Sequence, residues 1–102
     1  MTNFRLTPDA KSDLIKIRHF TIKQWGNTQS KKYLSALRQT IRLLADTPSL
    51  GKPGPEVGLG VLSFPHVSHV IFYMMYNQQL VVFGVLHKRM IPLNHLPERE
   101  II

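Results

Sequence analysis

Between residues 8 and 25 the positions Ala10, Leu14, Ile17 and Thr21 recur at spacings of four, three and four, which is one face of a helix. Ile15, Phe20, Ile22 and Trp25 widen its apolar stripe. Thr7 offers a hydroxyl to the free amides of the first turn, Pro8 fixes a helical φ at the first position, and Asp9 places negative charge where the helix dipole favours it. Gly26-Asn27 stops this helix, and Asn27 or Thr28 is expected to cap the next, which runs to about Thr47 with Leu34, Leu37, Ile41, Leu44 and Ala45 on its buried side. So short a connection makes the two helices an antiparallel hairpin.

The remaining segments have a strand period. Phe4 and Leu6 share one face of a short strand over residues 3–7. SLGKPGPEVGLG (49–60) reads as a loop, and Val61 to Val67 as an edge strand broken or shifted at Pro65. Val70–Tyr76 and Leu80–Leu86 are rich in Val, Ile, Phe and Tyr and are joined by Asn77-Gln78-Gln79, a β-hairpin without the Asn-Gly turn signature. The tail, about 91–102, carries Pro92 and Pro97 and is expected to be irregular or a short helix. The order β-α-α-β-β-β predicts an α+β fold, a helical hairpin on one face of a mostly antiparallel sheet.

Composition adds bounds. The 102 residues suit a single domain over 1–102, and 43% hydrophobic with 19% charged residues fits a globular chain. The absence of cysteine excludes disulfides and thiolate sites and is compatible with the cytoplasm. Charges every few positions in the first thirty residues leave no signal-peptide core, and the longest apolar run, Val70 to Tyr76, is too short to span a bilayer as a helix. Charge is distributed unevenly. Residues 1–52 hold ten Lys/Arg against Asp9, Asp13 and Asp46, whereas residues 53–102 balance Lys88, Arg89 and Arg99 against Glu56, Glu98 and Glu100, so the formal +7 lies wholly in the first half. Such a field attracts nucleic acid, anionic surfaces or an acidic protein segment; a solvated helix face is the competing reading.

Candidate chemistry is sparse. Five histidines form no ligand set of recognisable spacing, and His66 and His69, three apart, fall on opposite faces if one strand carries both. Neither a metal site nor a cofactor is expected. Ser63 and Ser68 have no G-x-S-x-G setting, and the glycines of 51–60 lack the G-K-[ST] ending of a phosphate loop. Phe72, Tyr73, Tyr76 and Phe83 suit a core better than a base-stacking surface. His87 ends a strand beside Lys88 and Arg89, where it is able to titrate near neutral pH; a hydrogen-bonded structural role competes.

Taken in order, LTPDAKSDL (6–14), Ile17…Phe20…Trp25-Gly26, YLSALRQTIRLLADTPSLGKP (33–53), SFP (63–65), HVIFY (69–73) and VLHKRM (85–90) resemble the ParE toxins of type II toxin–antitoxin systems, within the RelE/ParE superfamily. The resemblance runs from about Phe4 to Met90. It implies a cytoplasmic, non-enzymatic poison of DNA gyrase, neutralised by a ParD-like antitoxin whose acidic C-terminal segment folds along the toxin and which alone contacts operator DNA. On that implication Trp25, Lys31, Arg38, Arg42 and Leu62 are candidates for the antitoxin contact, and His87, Lys88, Arg89 and Met90, at the exit of the last strand, for the target. The family commonly carries an Arg just before S-F-P; here Val61-Leu62 stands there. The rival branch comprises RelE-like ribosome-dependent mRNA endonucleases, which need a basic cluster on the sheet. No Lys or Arg occurs between Lys52 and Lys88, leaving only His66, His69, His87, Lys88 and Arg89 nearby in sequence for that role. A toxin that has lost its toxicity and serves as co-repressor is the third reading.

Overall fold

The computed structural model describes residues 3–54 and 56–101; Pro55, within the expected 49–60 loop, and Ile102, at the end of the expected tail, lie outside them. The chain runs β1 (Phe4–Leu6), α1 (Pro8–Trp25), α2 (Asn27–Asp46), a 3-10 turn at Pro48–Leu50, β2 (Lys52–Pro53), β3 (Leu62–His66), β4 (His69–Tyr76) and β5 (Gln79–His87), with a second 3-10 turn at Pro92–Asn94.

Local chemistry sets the helix ends. The Thr7 hydroxyl accepts from the Ala10 amide at 3.2 Å with Pro8 at the first position, as the sequence predicts. Gly26 alone joins the helices, at φ 88°, a conformation that favours glycine; its amide donates to Ile22 O and its carbonyl accepts from Ser30 N. Asn27 is therefore already helical, and no side chain caps α2, contrary to the expectation for Asn27 or Thr28. The Thr21 and Ser30 hydroxyls, both buried, meet at 2.7 Å and tie the helices together near the bend.

The mixed five-stranded sheet has the order β1-β5-β4-β3-β2, with β1 parallel to β5 and every other pair antiparallel. β1 leaves the sheet at Thr7, so only Leu80 to Val82 of β5 have a strand on that side. The short β2 was not legible in the sequence. It covers only Leu62 and Ser63 of β3, so the exposed Pro65 lies where β3 is an edge and its missing amide costs nothing. Two-residue turns close both hairpins. Asn77 and Gln78 take φ of 50° and 62°, so Gln79, expected in the loop, already pairs with Tyr76.

Leu37, Ile41 and Leu44 of α2 and Ala10 and Ile17 of α1 pack on Ile71, Tyr73, Leu80, Val82 and Val85 of the sheet. The tail covers the opposite face, where Leu96, 2% exposed, packs with Phe72, Phe83 and Leu86. Cover on both faces explains why β4 and β5 read as nearly continuous apolar runs. The buried stripe of α1 is Ala10, Asp13, Ile17 and Thr21, while Ile15, Phe20 and Trp25, expected to widen it, are 57%, 49% and 47% exposed.

Candidate functional site

The two sides of α1 border two concave surfaces. On one side Leu14, Ile15 and Arg18 face Leu34, Leu37, Arg38 and Ile41 of α2, and with Phe4 and Leu6 of β1 they line a groove of about 360 Å³. Its floor is apolar and its rim carries two guanidinium groups, Arg18 and Arg38. Lys31, Arg38 and Arg42 are exposed, and their spacings of seven and four put them on one stripe of α2, so positive charge continues along the helix beyond the groove.

Of the residues expected to contact an antitoxin, Arg38 lines this groove and Lys31 and Arg42 extend its charge. Trp25 stands apart at the end of α1, edge-on to Tyr33 at 5.6 Å. Leu62 is half-buried against the helix-side core and does not reach the groove. Ile15, Arg18 and Phe4, which the sequence did not single out for binding, complete it; the signal was the isoleucine left outside the core-facing period of α1.

On the other side, Asp13, Lys16, Ile17 and Phe20 occupy positions i, i+3, i+4 and i+7 and border a second pocket, of about 310 Å³. It is completed by His69, by Val85, Leu86 and His87 at the end of β5, and by Met90, His95 and Arg99 from the tail. His87 and Met90 thus come together here, while Lys88 and Arg89 are exposed in the turn between them and do not line the pocket. Arg89 N–H donates to His87 Nδ1 at 3.1 Å, so the neutral ring carries its proton on Nε2.

Asp13 and Arg99 form the ion pair that closes this pocket. Arg99 Nη1 and Nη2 donate to the two carboxylate oxygens at 2.6 and 3.1 Å, a bidentate contact, while Val85 N–H donates to Asp13 Oδ2 at 2.9 Å and Arg99 Nη1 also donates to the Phe83 carbonyl at 3.1 Å. The pair therefore satisfies backbone groups of β5 beyond the point where β1 departs. Sequence reasoning missed it, because Arg99 lies in the tail expected to be irregular.

His66, His69 and His87 lie side by side across β3, β4 and β5, with pairings His66↔His69 and His69↔His87. The expectation that His66 and His69 face opposite ways fails because a two-residue turn, Val67-Ser68, reverses the chain between them. Tyr33 of α2 reaches this row: its hydroxyl lies 2.6 Å from His69 Nδ1 and 3.2 Å from the His66 carbonyl, and accepts from Ser68 N–H at 3.3 Å. Thr40 Oγ1 meets His66 Nδ1 at 3.0 Å. Burial lowers the pKa of His66, and burial reinforced by His87 and His66 lowers that of His69 to about 4. At neutral pH this row supplies neutral rings at those two positions, not fixed positive charge. Among the described residues no group of three or more His, Cys, Asp or Glu is placed to hold a metal ion.

Comparison with known proteins gives a consistent picture. Residues 4–92 match the family model described as the ParE toxin of type II toxin-antitoxin systems, parDE. The chain is 32% identical over 96 residues to Toxin ParE1 of Caulobacter vibrioides, covering 94% of this chain and 99% of that protein. It is 29% identical over 100 residues to Toxin ParE of Escherichia coli, covering 97% of each. A solved structure described as the chromosomal ParDE TA system from P. aeruginosa has the same fold, with a TM-score of 0.74 at 15% identity over 85% of this chain and 96% of that one.

Proposed function

The chain belongs to the ParE toxin family of type II toxin–antitoxin systems, and from that premise we propose that it arrests growth by poisoning DNA gyrase and is held inactive by a ParD-like antitoxin. The observation that carries the antitoxin half is the groove between α1, α2 and β1, an apolar floor rimmed by Arg18 and Arg38 and continued by Lys31 and Arg42. An amphipathic acidic segment fits it on both counts: apolar side chains bury in the floor and carboxylates meet the rim. Folding such a segment costs ordering entropy that only apolar burial offsets, so the floor supplies affinity and the arginines supply steering. That the matched P. aeruginosa structure is described as a ParDE system supports a ParD-like partner here. Contact with operator DNA is then made by the antitoxin.

The gyrase half rests on family membership. Against RNA cleavage stands the chemistry of the sheet, where the buried His69 and the half-buried His66 are held neutral by desolvation and only His87, at the end of β5, completes the row. A scissile phosphate needs donors or cations that stabilise developing negative charge, and these rings supply no fixed charge. No described helix is long and apolar enough to cross a membrane, and action in the cytoplasm, where gyrase works, follows from the proposal.

The test of the antitoxin site is charge reversal. Arg38→Glu with Arg42→Glu is expected to slow association with the ParD-like antitoxin by roughly 10- to 100-fold at low salt and to flatten its salt dependence, with a smaller effect on dissociation. Stopped-flow association rates measured across a salt series check this. Rates equal to those of the unmodified protein would place the antitoxin elsewhere.

A further inference from the structure

The pocket on the far side of α1 exists because β1 is short. Beyond Val82 the lane beside β5 holds no strand, and the Asp13 carboxylate and the Arg99 guanidinium stand in for one at Val85 N and Phe83 O. These contacts occupy both polar groups, leaving an apolar floor of Ile17, Val85 and Leu86. Phe20 and Met90 stand at its mouth, 49% and 47% exposed, an arrangement that a soluble chain leaves uncovered only at a cost. The rim is of one kind. Lys16 is its exposed cation, Arg99 is largely buried and tied to Asp13, and the Arg89 amide at His87 Nδ1 leaves the proton of the neutral ring on Nε2. The pocket thus offers apolar walls with donors and positive charge above them, and Asp13, the acid among its lining residues, is already neutralised.

We propose that this pocket is where the toxin grips its protein target, receiving an apolar side chain and a neighbouring carboxylate from one extended acidic segment. This deepens the function proposed above and rests on its reading that the target is a protein. A volume of about 310 Å³ holds one or two side chains. A nucleic-acid backbone is the poorer match, because among the lining residues Lys16 is the only cation not paired with a carboxylate, and a phosphate track needs a row of them. Residues 13, 16, 17 and 20 border this pocket and residues 14, 15 and 18 the other groove, so antitoxin and target address different sides of α1.

The experiment has two arms. In the first, the isotope-labelled full chain is titrated with 4-phenylbutyrate and with the neutral 4-phenylbutyramide, and amide shifts are followed by NMR. Shifts clustered at Lys16, Phe20, His87 and Met90 are expected with the acid and at least several-fold weaker with the amide. Both should be lost in Phe20→Ala, and the preference for the acid should be lost in Lys16→Glu. In the second, the same variants are expected to inhibit purified gyrase at least tenfold less than the unmodified protein while binding antitoxin normally. Both positions are exposed, so the fold should tolerate the changes. Unclustered shifts, equal response to acid and amide, or variants that inhibit gyrase fully would overturn the pocket assignment. Probe binding by an unmodified protein that leaves gyrase untouched would instead overturn the gyrase reading, and with it this use of the pocket.

Discussion

Replacing Asp13 by alanine is expected to remove about 3–5 kcal/mol of stability, the range for stranding one partner of a buried ion pair. Folded domains hold only about 5–15 kcal/mol in total, so this single change should take a large part of the margin. Asp13 and Arg99 side chains are 7% and 15% exposed, so the guanidinium left behind is largely cut off from water. The Val85 amide loses its acceptor as well. Two further variants separate these losses. Asp13→Asn keeps an acceptor for Val85 and should cost less, and Asp13→Ala with Arg99→Met, which removes the stranded charge, should be more stable than Asp13→Ala alone. Urea unfolding at neutral pH measures all three. If Asp13→Ala costs under about 1 kcal/mol, a typical surface ion-pair value, the pair does not pin the tail to the sheet.

Acid should destabilise the protein through the histidine row, in a defined window. His69 titrates at about 4 in the folded chain and near 6.5 when unfolded. Between those values the unfolded state holds the extra proton, so stability is full above about pH 6.5, falls as pH drops through the interval, and stops falling on this account below about pH 4. The loss reaches up to about 3 kcal/mol, each pKa unit being worth 1.36 kcal/mol. His66, lowered by burial, adds a loss of the same sign. His69→Asn keeps a polar group near the Tyr33 hydroxyl but removes the titration, so its stability should depend much less on pH between 6.5 and 4. Urea midpoints measured at several pH values check this. An equal decline in both proteins would mean that other groups carry the acid sensitivity.

What the sequence discloses and what it hides divide along physical lines. Thr7-Pro8 and Gly26 are legible as helix boundaries because capping acts over three or four residues. The strand register at β3–β4 is not. Val67 closes the turn at φ 52°, a conformation that β-branched residues rarely take, so nothing announces that His66 and His69 are cross-strand partners. On α1 the series 10-14-17-21 and 10-13-17-21 describe almost the same stripe. What selects the second is Arg99, 86 residues away, which makes burial of Asp13 tolerable. The basic stripe of α2 can be read from Lys31, Arg38 and Arg42, whereas the groove beside it requires three elements to meet and so emerges only in the fold. Leu62 illustrates the converse: singled out through a family position, it is turned toward the core by the pairing of β3 with β4.

The central claim, that this ParE-family chain poisons gyrase and is released from that role by its antitoxin, is tested most directly by adding the purified protein to gyrase, ATP and relaxed plasmid. The expected result is loss of supercoiling with accumulation of cleaved DNA, both reversed when the ParD-like antitoxin is added. Undiminished supercoiling at excess protein, from a preparation that arrests growth in cells, would contradict it and move the weight to the ribosome-dependent ribonuclease reading.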